Sequence, residues 1–276
     1  MKAPVQALKA PETPFVSGDL DALKARLGAL QQQIRQRGIP VLIACEGWDA
    51  AGKGAVIGKL IAGLDPRGFK VYAIRPRSAE EARYPLFQRF WARTPQRGQI
   101  VLFDQSWYGE GALCEDESAK LDCEARRAQI ADFEAQLSCW GCAIIKLFLH
   151  ISRKEQKKRF LKLESDKATR WRVTKRDWAH NKRYDERYQR YADLIARTDW
   201  PQARWHVIDA QKTKDAVRAA YAIVIDQLER ALAQGAGRLK APPAALPLAA
   251  PIKALPIRPL AQCDLSKRYE GDYSRD

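Results

Sequence analysis

Gly47-Trp48-Asp49-Ala50-Ala51-Gly52-Lys53-Gly54 most narrows what this chain can fold into, because it stands between a wholly apolar run, Val41–Cys45, and a helical pattern over 55–64. The G-x4-G-K spacing sets glycines where a strand must turn sharply into a helix, so that backbone N–H groups and the helix N-terminus face one point. Such a turn is an anion cradle, and Lys53 adds a mobile positive charge for a terminal phosphate. A plain glycine turn is the bland alternative; flanks, spacing and lysine together outweigh it.

Two residues depart from the usual phosphate-loop pattern. Gly54 stands where a Ser or Thr hydroxyl would ligate magnesium, and Asp49 lies inside the loop. A carboxylate aimed at phosphates repels them unless a divalent cation stands between. Asp49 is therefore expected to hold the metal in place of the missing hydroxyl. A second carboxylate, Asp104, closes the apolar run Ile100-Val-Leu-Phe-Asp, at the edge where ligands bind in parallel sheets. Its bland reading is a cap or turn residue.

The rest of the chain supports a sheet of that kind. Leu20, Leu23, Leu27, Leu30 and Ile34 recur at helical spacing, with Asp19 or Ser17 as cap, and Pro40 ends the element. Strands are expected over 41–45, 69–74, 99–103, 143–151 and 205–208, each read as apolar throughout. Helices are expected over 80–93, 125–137, 154–164, 174–197 and 215–234. This alternation predicts an α/β chain with a doubly wound parallel sheet. Residues 1–18 read as an N-terminal arm, 19–234 as the kinase domain, and the Pro/Ala-rich 235–276 as a strap or linker.

With 48 Lys and Arg against 33 Asp and Glu, the net charge of +15 calls for a polyanionic partner: nucleic acid, an anionic membrane or a phosphate-rich small molecule. No apolar run reaches the length of a membrane span and the N-terminus lacks a signal-peptide succession, so no membrane partner and a cytoplasmic location are expected. The spacing of Cys139-Trp-Gly-Cys142 would suit a redox pair or half a zinc site, but no second Cys or His pair lies at zinc-finger spacing, which favours a buried thiol beside a helix end. A dense basic run holds Lys154, Lys157, Lys158, Arg159, Lys162, Lys167, Arg170, Arg172, Lys175 and Arg176. Alone, such a run is usually a solvated helix face.

Glu46-Gly-Trp-Asp-Ala-Ala-Gly-Lys-Gly54 followed by Phe103-Asp-Gln-Ser-Trp-Tyr108 resembles the polyphosphate kinase 2 family. The likeness runs from about Leu20 to Leu232 and takes in Phe90-Trp91 with Pro95 and Gly98, Glu155-Gln156 with Arg159-Phe160, Trp171-Arg172 with Asp177, and Thr198, Ala203 and Trp205. It implies phosphoryl transfer between inorganic polyphosphate and a nucleotide with magnesium, manganese being the possible substitute. It further implies a three-layer αβα P-loop kinase fold, Asp49, Lys53 and Asp104 as the catalytic trio, both aspartates at the metal, and a helical basic lid at about 152–197 over the polyphosphate. Arg75, Lys158, Arg159, Arg170, Arg172 and Lys175 are the expected polyphosphate contacts, and a homo-oligomer is expected.

The sequence leaves the family pattern after Asp104. Gln105 and Glu110 stand where arginines are usual, and Cys114 stands where a glutamate is, with Glu115 displaced by one. Replacing Arg by Glu removes a bidentate phosphate donor and adds repulsion. Two readings follow: a polyphosphate-dependent nucleotide kinase acting on AMP or another nucleoside monophosphate to give the diphosphate, with ADP or another nucleotide also open; or a catalytically degenerate polyphosphate-binding or regulatory domain. The tail from Pro256 to Lys267 resembles the segment joining the halves of two-domain polyphosphate:AMP phosphotransferases. A nucleic-acid reading, resting on Trp171, Trp178, Tyr184 and Tyr188 among the basic residues, finds no recognised module, and such aromatics more often pack helices.

Overall fold

The first strand, β1 (Val41–Gly47), is buried along its whole length and pairs in parallel with β3 (Ile100–Asp104) on one side and β4 (Ala143–His150) on the other. With β2 (Phe69–Ala73) and β5 (Trp205–Asp209) the five-stranded sheet has the order β2-β3-β1-β4-β5. The chain runs outward from β1 to one edge and then crosses to the other, so it reverses beside β1. In a parallel sheet that reversal opens a crevice at the carboxyl ends of the central strands. A computed structural model describes residues 19–109 and 120–235 of the chain.

Helix α1 (Leu20–Arg37) buries Leu23, Leu27, Leu30 and Ile34 and stops at Gly38, whose φ of 64° closes a left-handed C-cap. It packs on α8 (Thr213–Gln234), as does α2 (Lys53–Ile61), and α8 lies on β4 and β5. Helix α4 (Lys120–Cys139) also packs on β4. The lid is built from α5 (Arg153–Ser165), α6 (Lys175–Lys182) and α7 (Tyr184–Arg197). The three-layer αβα architecture is the one expected.

Three local expectations change. The stretch 80–93 holds only a 3-10 turn, Glu81–Arg83, and the short α3 (Gln88–Trp91). Pro85 offers no N–H for a continuous helix, and Arg77 takes the carbonyls of Glu81 and Tyr84 at 2.7 and 2.5 Å. The stretch 174–197 breaks at Arg183, with φ −98° and ψ 31°, and the next residue, Tyr184, stacks on Trp48 at 4.0 Å. The fourth strand is not apolar throughout: Lys146 lies in its middle with no exposed surface. Asp19 precedes α1 without a side-chain capping bond, and Ser17, the other cap considered, lies outside the described residues. Cys142 is buried beside the end of α4 and both it and Cys139 are free thiols. The arm 1–18, the tail after Gly235, Glu110, Cys114 and Glu115 lie outside the described residues.

Candidate active site

The glycine loop crosses the carboxyl end of β1 under tight steric control. Gly47 has φ 136°, and a Cβ there would meet the Leu149 carbonyl oxygen at 2.3 Å, so only glycine lets β1 and β4 approach this closely. Gly52, with φ 101°, opens α2. Ala50 (φ 59°) and Gln105 (φ 60°) are the non-glycine residues with positive φ among those described, and both border the site. An alanine held there costs roughly 1 kcal/mol, which the surrounding contacts must offset. Gly54 is different: a Cβ there would enter open space, so packing does not demand the glycine that replaces the usual hydroxyl.

Those contacts come from the lid. Arg159 donates from NH1 to the carbonyls of Ala50 and Ala51 at 3.0 Å each, from NH2 to Ala210 and Gln211 at 2.7 and 3.1 Å, and from Nε to Glu155 at 2.9 Å. Gln156 donates to the Asp49 carbonyl at 3.1 Å and is itself held by Asn181 at 2.9 Å. Trp48 is buried in the core, its Nε1–H donating to His150 Nδ1 at 3.1 Å. Lys53 lies over the loop, its ammonium donating to the Gly47 and Trp48 carbonyls at 3.0 and 3.1 Å.

Asp49 projects from this braced loop, and its Oδ2 lies 2.7 Å from Nδ1 of the buried His180. Arg176 Nε–H approaches the other ring nitrogen of His180 at 3.4 Å, which makes Nε2 the acceptor and selects the tautomer that donates from Nδ1 to Asp49. Burial pushes the Asp49 carboxyl up, but the His180 bond and the charges of Lys53 and Arg187 outweigh it and hold Asp49 below the ordinary carboxylate range. Asp177 closes the capping box of α6, receiving the Thr174 N–H and hydroxyl at 2.7 Å each. Ligand atoms of Asp49, Asp177 and His180 lie within 4.8 Å of one another, a grouping able to hold a cation. Asp104 borders the same space outside that grouping.

Two clefts meet at Asp49 and Asp177. The lid-side cleft, about 1140 Å³, is lined by Ala50, Gly52, Lys53, Gly54, Asp104, Lys158, Arg159 and Arg172 among others. The inner cleft, about 680 Å³, is lined by Gly47, Gln105, Tyr108 and Trp205 and by arginines from the end of β2 (Arg75, Arg77), α4 (Arg126), α6 (Arg176) and α7 (Arg187). The expected catalytic trio therefore shares one cleft with part of the expected lid set. Arg75 belongs to the inner cleft instead, and Arg170 and Lys175 are exposed and line neither. Trp48 and Ala51 serve the loop from the core rather than from a cleft wall. His180 was not anticipated from sequence; its signal is the i+3 spacing from Asp177, which sets both on one face of α6. Of the four aromatics in the basic region, Trp178 packs on Phe160, Tyr184 on Trp48 and Tyr188 on His150, while Trp171 is exposed.

Below the inner cleft, Glu46 accepts from the Ser106 N–H and hydroxyl at 2.7 Å each, latching the exit of β3 to β1. Burial pushes the Glu46 carboxyl up, against the pull of Ser106 and Lys53.

A family model described as Polyphosphate kinase 2 matches residues 16–235. The Polyphosphate:AMP phosphotransferase of Pseudomonas syringae pv. tomato is 32% identical over 218 residues, covering 78% of this chain and 44% of the relative. Its namesake in Pseudomonas aeruginosa is 33% identical over 215 residues, covering 73% and 43%. This chain thus spans less than half the length of these two relatives. The crystal structure of Polyphosphate Kinase 2 from Arthrobacter aurescens TC1 superposes with a TM-score of 0.75 at 26% identity, covering 83% of this chain and 91% of that one.

Proposed function

The chain belongs to the polyphosphate kinase 2 family, and on that footing we propose that it transfers a phosphoryl group between inorganic polyphosphate and a nucleotide, with AMP or another nucleoside monophosphate as the favoured acceptor. The observation that carries this reading is the meeting of two unlike clefts at Asp49 and Asp177. Polyphosphate lies in the lid-side cleft, against the loop N–H groups, Lys53, Lys158 and Arg172. The nucleotide enters the inner cleft, where aromatic walls suit a base and arginines suit its phosphate. Gln105 removes one guanidinium from this side, but Arg75, Arg77, Arg126, Arg176 and Arg187 supply positive charge from four other places.

An acceptor phosphate oxygen attacks the terminal phosphoryl group in line, and no protein nucleophile is needed. Lys53 moves from the loop carbonyls to the transferring group and offsets its charge. Asp49 and Asp104, with Asp177 within reach of Asp49, are the oxygen donors for magnesium, and this carboxylate set suits a hard cation or manganese. Held there, the ion would supply charge neutralisation for the transferring phosphoryl group. His180 keeps Asp49 oriented. The enzyme works in the cytoplasm and as a homo-oligomer. No helix among the described residues is long and apolar enough to cross a membrane.

The test is magnesium-dependent formation of ADP from AMP and polyphosphate, with ADP and GDP as further acceptors and Lys53→Ala as the blank. No turnover with any nucleotide, alongside retained polyphosphate binding, would replace the reading by the degenerate binding domain.

A further inference from the structure

The lone lysine in the fourth strand is a fully enclosed charge. Lys146 Nζ donates to Glu134 Oε2 at 3.0 Å, to the Thr198 carbonyl at 2.6 Å and to Tyr108 Oη at 3.1 Å. Glu134 Oε1 accepts the Tyr108 hydroxyl at 2.6 Å and the Trp107 indole N–H at 3.2 Å. Both members of the ion pair are fully enclosed, with 0% exposed side-chain surface each. As an ammonium, Lys146 has three protons for these three acceptors, while the Tyr108 hydroxyl donates to Glu134 and its oxygen accepts from Lys146. The Trp205 ring stands 5.1 Å from the ammonium, and its own N–H donates to Thr198 Oγ1 at 2.9 Å.

A buried ion pair is a poor source of stability, because apolar residues of similar size often do as well. What this pair does is join four elements: α4, β4, the exit of β3 and the start of β5. Two of the rings it holds, Tyr108 and Trp205, form part of the wall of the inner cleft. The lid-side cleft contains none of these residues.

We propose that Lys146 and Glu134 are positioning residues for the acceptor: through Tyr108 and Trp205 they fix the wall against which the nucleotide binds, and they have no part in holding polyphosphate. This rests on the nucleotide occupying the inner cleft. It also accounts for the charge inside the strand, which the core itself does not require.

The test is equilibrium binding of AMP, ADP and polyphosphate, each measured separately by calorimetry on the full chain. Lys146→Met with Glu134→Met keeps volume and leaves no unpaired charge, but it takes partners from the Tyr108 hydroxyl, the Trp107 N–H and the Thr198 carbonyl, so a cooperative melt somewhat below that of the wild type is expected. Nucleotide affinity should fall about tenfold, the scale of a lost charge-assisted hydrogen bond, while polyphosphate affinity changes less than about twofold. Tyr108→Phe, which keeps the ring and removes the anchoring hydroxyl, should lower nucleotide affinity alone by a smaller factor, and it carries the test if the double variant does not fold. Unchanged nucleotide affinity in the folded variants overturns the proposal, as does an equal loss for both ligands, which would mark general loosening. Failure of the underlying reading looks different: the wild type itself would bind polyphosphate and neither nucleotide.

Discussion

The two clefts that meet at Asp49 are built from opposite materials. The lid-side cleft takes its charge largely from one run of sequence, with Lys158 exposed at 78% of its side chain and Arg172 beside it. The inner cleft draws arginines from four parts of the chain and lines them with Tyr108, Phe148, Tyr191 and Trp205, which are buried. A long repeating anion needs only a field of solvated cations, and each of these contributes little by itself. A nucleotide has one shape, and a wall that recognises it must be held in place. One side is thus tolerant and the other exacting, and substitutions should separate them.

The largest effect belongs to Lys53, on the lid-side cleft. Lys53→Ala removes the mobile charge from the lid-side cleft and leaves the lining of the inner cleft intact, so transfer should fall at least about a hundredfold, the scale seen when one transition-state donor is lost. Nucleotide affinity should stay near that of the wild type. Rates measured at saturating polyphosphate and nucleotide check this; a residual rate near that of the parent would remove Lys53 from the chemistry.

Arg159 breaks the simple picture of a solvated basic lid from within. It belongs to the same run as Lys158, yet four of its hydrogen bonds go to backbone carbonyls that hold the loop and the end of β5 in place. Arg159→Ala should therefore destabilise the fold by about 2–3 kcal/mol as charge-assisted bonds to backbone carbonyls are lost, and it should depress transfer with either ligand varied. Arg159→Lys cannot reproduce a fork that spans four carbonyls and should recover little. Chemical denaturation checks the first part; a stability equal to that of the wild type would return Arg159 to the exposed set.

Lys158→Ala and Arg172→Ala sharpen the contrast from the other side. Each should weaken polyphosphate binding by about two- to fivefold at low salt, less as salt rises, with melting temperature and nucleotide affinity unchanged. A shift in nucleotide affinity would show that the clefts are not independent.

The same contrast governs what could be read from sequence. The loop, Lys53, Asp49, Asp104 and the basic run are local patterns whose meaning lies in spacing, and the parallel sheet, though not its strand order, follows from alternation. The inner cleft has no such pattern. Arg75, Arg126 and Arg187 converge only after the sheet has formed, and His180 reaches Asp49 from 131 residues away. Lys146 carries no sequence signal, because a single charge in an apolar strand does not disturb its period. The helix expected over 80–93 failed where Pro85 and the reach of Arg77 override propensity.

Acid gives the mildest test, and it acts at the root shared by both clefts. His150 accepts a hydrogen bond from the Trp48 indole, so its ring must be neutral at Nδ1, and burial lowers its pKa despite the opposing pull of Asp209. Burial lowers His206 likewise. A histidine whose folded pKa is depressed binds more protons when unfolded, so stability is complete above the ordinary value of about 6.5 and is lost as pH falls below it. The melting temperature should drop by a few degrees between about pH 7.5 and 5.5, and His150→Gln should flatten that slope, because a glutamine oxygen can accept from Trp48 without titrating. The Asp49 carboxyl, held low, adds nothing in this range, since its contribution is lost only as pH falls through the carboxylate region. If the slope survives in His150→Gln, the acid sensitivity belongs to His206 at the sheet edge, and the loop keeps its anchor in acid.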